Sequence, residues 1–118
     1  MNNADHLKLW EKQLQKFYHL LGKKPDLNGI LFLIGVQELG KGFYNFSKEQ
    51  KQDLMSLAVC RLLEPLGYFE FIGYDKDGWP LYKKQNNSLH LTIQDQEYLL
   101  QKQIIDYFKS IDELSVFN

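Results

Sequence analysis

The chain has 118 residues, 44% hydrophobic and 25% charged, with 14 basic residues against 15 acidic ones. That length supports a single domain over residues 1–118, and the apolar and aromatic share excludes intrinsic disorder. A formal charge of −1 excludes whole-protein attraction to nucleic acid or an anionic membrane, and the lone cysteine, Cys60, excludes an internal disulfide or a cysteine-based zinc site.

Leu7, Trp10, Leu14, Phe17, Tyr18 and Leu21 recur at three- and four-residue steps and predict a first amphipathic helix, stopped at Gly22. After the turn Lys23-Lys24-Pro25, Asp26 is placed to cap a second helix over Leu27–Leu39. That segment is apolar almost all round, as expected of an enclosed helix, and Gly35 within it permits close approach of a neighbour. Gly40 suits the left-handed position that ends a helix. Ser47 with Gln50 forms a capping-box pattern opening a third helix, whose buried face carries Leu54, Met55, Ala58, Val59 and Leu62 up to Glu64-Pro65.

Tyr68–Tyr74 reads as a strand, Asp75-Lys-Asp-Gly78 as a four-residue turn, and Trp79–Lys83 as the return strand. This register sets Tyr74 opposite Trp79, Ile72 opposite Leu81 and Glu70 opposite Lys83. It gathers Tyr68, Ile72, Tyr74, Trp79 and Leu81 on one face, and Phe69, Phe71 and Tyr82 on the other. Asn86-Asn87 follows as a loop. Thr92 is placed to cap a last helix with Ile93, Leu100, Ile104, Tyr107, Phe108 and Ile111 on its buried stripe, and the tail from Ser115 is expected to fray.

The segment Gly35-Val-Gln-Glu-Leu-Gly40-Lys41-Gly42 spells a phosphate-binding loop except at its last position. There the motif needs a hydroxyl to ligate magnesium, and Gly42 has none. A helix ending at Gly40, with Lys41 near its carbonyl end, accounts for the same letters. Asp75-x-Asp77-Gly78 matches part of a calcium loop. With Gly78 at the sixth position, however, Gly73 and Lys84 fall where the first and twelfth ligands belong, so a hairpin turn is expected instead. His6, His19 and His90 lie in different segments and form no ligand pair. Cys60 is expected to be a packing residue. Glu38 and Glu64 sit beside apolar residues and become acid–base candidates only if they share a pocket. No cofactor, metal or catalytic residue is assigned, and an enzyme is not expected. The polar N-terminus carries no signal peptide pattern, and no apolar run approaches the ~20 residues that span a bilayer, so a cytoplasmic protein without a membrane partner is expected.

Three helices, then Leu62-Leu-Glu-Pro-Leu-Gly-Tyr68, a hairpin turning at Asp75–Gly78, and a further helix resemble the winged-helix order over about residues 27–92. The resemblance implies base contact from the third helix through Lys48, Lys51, Gln52 and Ser56, and phosphate contact from Lys76 on the wing. Glu49, Asp53 and an aromatic wing depart from that pattern, and only Arg61 among the basic residues is an arginine. Separately, LFLIGVQELGKG (31–42) with GYFEFIGYDKDGWP (67–80) is similar to a group of small uncharacterised bacterial proteins. That similarity implies a bacterial cytoplasmic origin and carries over no site residue.

The expectation is a helix-dominated α+β domain: three helices, a β-hairpin and a C-terminal helix. A ribbon with two apolar faces is not satisfied by one core layer, so either the last helix covers the second face or a second chain or ligand does. The expected function is a non-enzymatic protein-interaction module. It binds another protein or a second copy of itself as a homodimer, through Tyr68, Ile72, Tyr74, Trp79 and Leu81. DNA binding by a winged helix and a small carboxylate enzyme are the alternatives.

Overall fold

Asp26 and Ser47 fix where two of the helices begin. The Asp26 carboxylate accepts the Gly29 N–H at 2.8 Å. The Ser47 hydroxyl accepts the Gln50 N–H at 3.1 Å, while the Gln50 side-chain oxygen accepts the Ser47 N–H at 2.8 Å. These bonds satisfy amides that a helix leaves unpaired in its first turn. The computed structural model describes residues 3–42, 45–85 and 92–115. Its elements are α1 (Asn3–Leu21), α2 (Leu27–Leu39), α3 (Lys48–Leu63), a 3-10 turn (Glu64–Leu66), β1 (Phe69–Tyr74), β2 (Pro80–Lys84) and α4 (Ile93–Ser115). The architecture is α+β and helix-dominated, in the order expected from the sequence. The Asn86-Asn87 loop, His90 and the tail beyond Ser115 lie outside the described residues.

The residues cluster into two compact units: Met1–Pro25 with Leu91–Asn118, and Asp26–His90. The first holds α1 and α4. Trp10, Leu14, Phe17, Ile104 and Tyr107 are buried there, and the Phe17 and Phe108 rings meet edge-on at 5.1 Å. Leu7 and Tyr18, expected in the buried stripe, are exposed. His6 takes the place expected for Leu7, because four-residue steps from Trp10 and Leu14 lead back to position 6.

The second unit is built on α2 against α3. Ile30, Ile34, Leu54 and Leu62 are at most 2% exposed, and burying each such side chain contributes roughly 1.5–3 kcal/mol. Val36, Leu39, Phe46, Leu54 and Leu57 form a cluster against which Phe32, Trp79 and Tyr82 pack. The hairpin therefore covers this core with Trp79 and Tyr82. Gly40 ends α2 at φ 73°, and its N–H donates to Val36 O. The apolar run Ile30–Ile34 is helical, which removes the strand that a phosphate-binding loop would follow.

Candidate functional site

The hairpin departs from its expected register at one point. Phe69↔Lys84, Glu70↔Lys83 and Phe71↔Tyr82 pair in the expected frame, but Gly73 pairs with Leu81 and Tyr74 with Pro80. Ile72 is the extra residue of a β-bulge, and Gly73, at φ 129°, takes a backbone conformation that a side chain would strain. The turn is correspondingly one residue longer than expected. Asp75 N–H donates to Trp79 O at 2.9 Å, and the Asp75 carboxylate accepts the Asp77 and Trp79 amides at 2.8 and 2.9 Å. That carboxylate organises the turn itself, as Asx turns do.

The bulge re-sorts the faces. Tyr74 was expected to lie with Trp79; instead its ring meets Phe71 at 5.2 Å, and Phe71 meets Tyr82 at 5.7 Å. Trp79 is half-buried on the core cluster, so its expected place on a free surface is corrected. Tyr68, also expected there, is half-buried just before β1. Three of the five expected contact residues are exposed: Ile72 at 57%, Tyr74 at 66% and Leu81 at 41%. Phe71 at 40% and Leu66 at 42%, neither of them expected, are also exposed. Phe71 was missed because an unbroken alternation assigns it to the other face.

Glu38 on α2 and Glu64 in the 3-10 turn do share a pocket. Arg61 Nε lies 3.1 Å from Glu38 Oε1, and an Arg61 terminal nitrogen lies 4.0 Å from Glu64 Oε1. The other Glu64 oxygen accepts the Phe71 N–H at 3.3 Å, which ties the turn to the open edge of β1. With Phe71, Tyr74, Pro80 and Tyr82, these residues line a cavity of about 240 Å³. Burial, then Glu64 and Glu38, push the Tyr82 hydroxyl up to about 12, against an opposing effect of Arg61. Burial likewise pushes the Cys60 thiol up, which disfavours the reactive thiolate.

Lys48, Lys51, Gln52 and Ser56 are all exposed on α3, and Lys76 is exposed at the turn. Glu49 and Asp53 are exposed beside them. In the unit that carries this surface, the hairpin accompanies two helices, because α1 clusters with α4. The Lys41 ammonium was expected at the carbonyl end of α2; it donates instead to the Asp77 carbonyl in the hairpin turn.

His6, which the sequence analysis did not place on the buried stripe, is 2% exposed. Its Nε2 lies 2.9 Å from the Gln101 side-chain oxygen, its ring lies 4.1 Å from that of Tyr98, and its Nδ1 is buried without a hydrogen-bond partner. Among the described residues, no group of three His, Cys, Asp or Glu side chains is placed to hold a metal, and no helix is long and apolar enough to cross a membrane. No family model matches the chain, and no curated protein or solved structure matches it.

Proposed function

We propose that this chain is a non-enzymatic protein-interaction module that docks through its β-hairpin. The observation that carries the reading is the exposure of Phe71, Ile72, Tyr74 and Leu81 on a short ribbon whose Trp79 and Tyr82 already serve the core. Neighbouring large apolar side chains left in water mark contact surfaces, and aromatic residues are frequent anchors there. A two-stranded ribbon also leaves backbone groups unpaired along its outer edges, which favours a protein partner. A second copy of the chain is the first partner to test, and a cytoplasmic setting fits the reading.

DNA binding through Lys48, Lys51, Gln52, Ser56 and Lys76 has weaker support, because Glu49 and Asp53 set negative charge among those side chains. The carboxylate-enzyme reading is weakened by Arg61, which pairs with Glu38 and approaches Glu64.

The test compares the wild-type chain with an Ile72→Ser/Tyr74→Ser variant, by sedimentation velocity over a wide concentration range and as bait in cell extract. Association or capture that is present in the wild type and lost in a folded variant supports the reading. A wild-type monomer whose captured proteins match those of the variant contradicts it.

A further inference from the structure

A second cavity, of about 550 Å³, lies between α1 and α4 and is lined by His6, Leu7, Gln94, Asp95, Tyr98 and Gln101. All six residues belong to the unit that holds those two helices. A volume of this size takes a small organic molecule. The Gln101 side-chain oxygen can only accept, so His6 Nε2, at 2.9 Å, donates to it and carries the ring proton. In a neutral imidazole the other nitrogen is then an acceptor, and this Nδ1 is buried without a partner. Its lone pair has given up the hydrogen bond that water would supply, a state that buried polar atoms rarely keep without a reason. The half-buried Tyr98 ring stacks over the imidazole at 4.1 Å, tilted by 37°. Asp95, exposed in the first turn of α4, brings negative charge to the lining. The end of α4 itself offers little to an anion, because the Thr92 hydroxyl and carbonyl accept the Asp95 and Gln96 amides, each at 3.0 Å.

We propose that this cavity binds a small organic ammonium with a flat apolar body, an arylalkylamine. The ammonium donates an N–H to His6 Nδ1, and the Asp95 carboxylate supplies the opposite charge. Leu7, 59% exposed, and the Tyr98 ring supply the apolar contact. Nδ1 is closed to water in this conformation, so entry requires Tyr98 to turn off the imidazole face, and its ring then lies along that of the ligand. An anion fits less well, because Asp95 repels it and Nδ1 has no proton to give. This site is independent of the hairpin reading.

The test titrates the full isotope-labelled chain, at mildly alkaline pH, with three probes. Phenethylamine is the ligand analogue, trimethyl(phenethyl)ammonium keeps the charge but has no N–H, and phenylacetate reverses the charge. The imidazole nitrogen resonances are read together with the backbone amides. Phenethylamine is expected to shift His6 Nδ1 and the Leu7 and Tyr98 amides. The trimethyl probe is expected to bind about tenfold more weakly and to leave Nδ1 in place, and phenylacetate not to bind. Asp95→Asn is expected to weaken phenethylamine about fivefold. His6→Phe, which keeps a ring in the packed position, is expected to remove the preference for phenethylamine over its trimethyl analogue, which a merely structural role for His6 would not do. Equal affinity for those two probes, shifts that leave His6 unmoved, a preference that survives His6→Phe, or no binding of phenethylamine at millimolar concentration would overturn the proposal. The probe comparison uses the unaltered chain, so it decides the matter even if His6→Phe does not fold.

Discussion

Gly35 lies so close to Leu54 that a Cβ built on it would come within 2.1 Å of the Leu54 carbonyl oxygen and 2.6 Å of its carbonyl carbon. The obstacle is backbone, so no side-chain rotation relieves it. The close packing of α2 on α3 depends on this contact. Gly35→Ala, which would raise helix propensity on an exposed surface, is therefore expected to destabilise the chain by about 3 kcal/mol or more. A urea unfolding curve checks this, and a midpoint equal to or above that of the wild type would contradict it.

Tyr82 provides a pH test. Its hydroxyl ionises at about 12 in the fold, against an ordinary value of 10.0. The unfolded chain therefore loses this proton first as pH rises. The unfolded state binds fewer protons over that interval, and stability falls with pH. Tyr82 contributes stability that is fully present below about 10 and is lost as pH climbs toward about 12. An absorbance titration should show one tyrosine ionising late, absent in Tyr82→Phe, and Glu64→Gln should move its midpoint down. A midpoint unmoved by Glu64→Gln would show that the Glu64 carboxylate does not act on this hydroxyl.

The near-match to a phosphate-binding loop predicts no nucleotide binding. The Gly40 N–H is already bonded to Val36 O, and the Lys41 ammonium is engaged by the Asp77 carbonyl. A nucleotide at a hundredfold excess over its Kd would add about 2.7 kcal/mol of stability. Thermal unfolding with and without magnesium-ATP should instead give the same midpoint. An upward shift that disappears in Lys41→Ala would contradict the helical account of residues 27–39.

Much of the fold was legible because it is encoded locally. Asp26, Ser47 with Gln50, and Gly40 each specify a helix end through a bond made within a few residues, and α2 spans the expected Leu27–Leu39. The site was only partly legible. Alternation predicts faces until something interrupts it, and the bulge at Ile72 is such an interruption. It moved Tyr74 beside Phe71 and left Trp79 on the core. Gly73 was the available signal, since a glycine inside a strand often marks a bulge. The meeting of Glu38, Arg61 and Glu64 joins an α2 residue to the end of α3 and the turn after it, a juxtaposition in space that spacing alone does not encode. His6 was legible in principle: it lies four residues before Trp10 and eight before Leu14, on the face that is buried.

The most direct test of the docking surface is photo-crosslinking in cells from a benzophenone side chain placed at Ile72, compared with one placed at Lys48 on the exposed face of α3. The account predicts a discrete protein adduct from position 72, to a second copy or to another protein, and none from position 48. No adduct from position 72, or adducts formed equally from both positions, would contradict it.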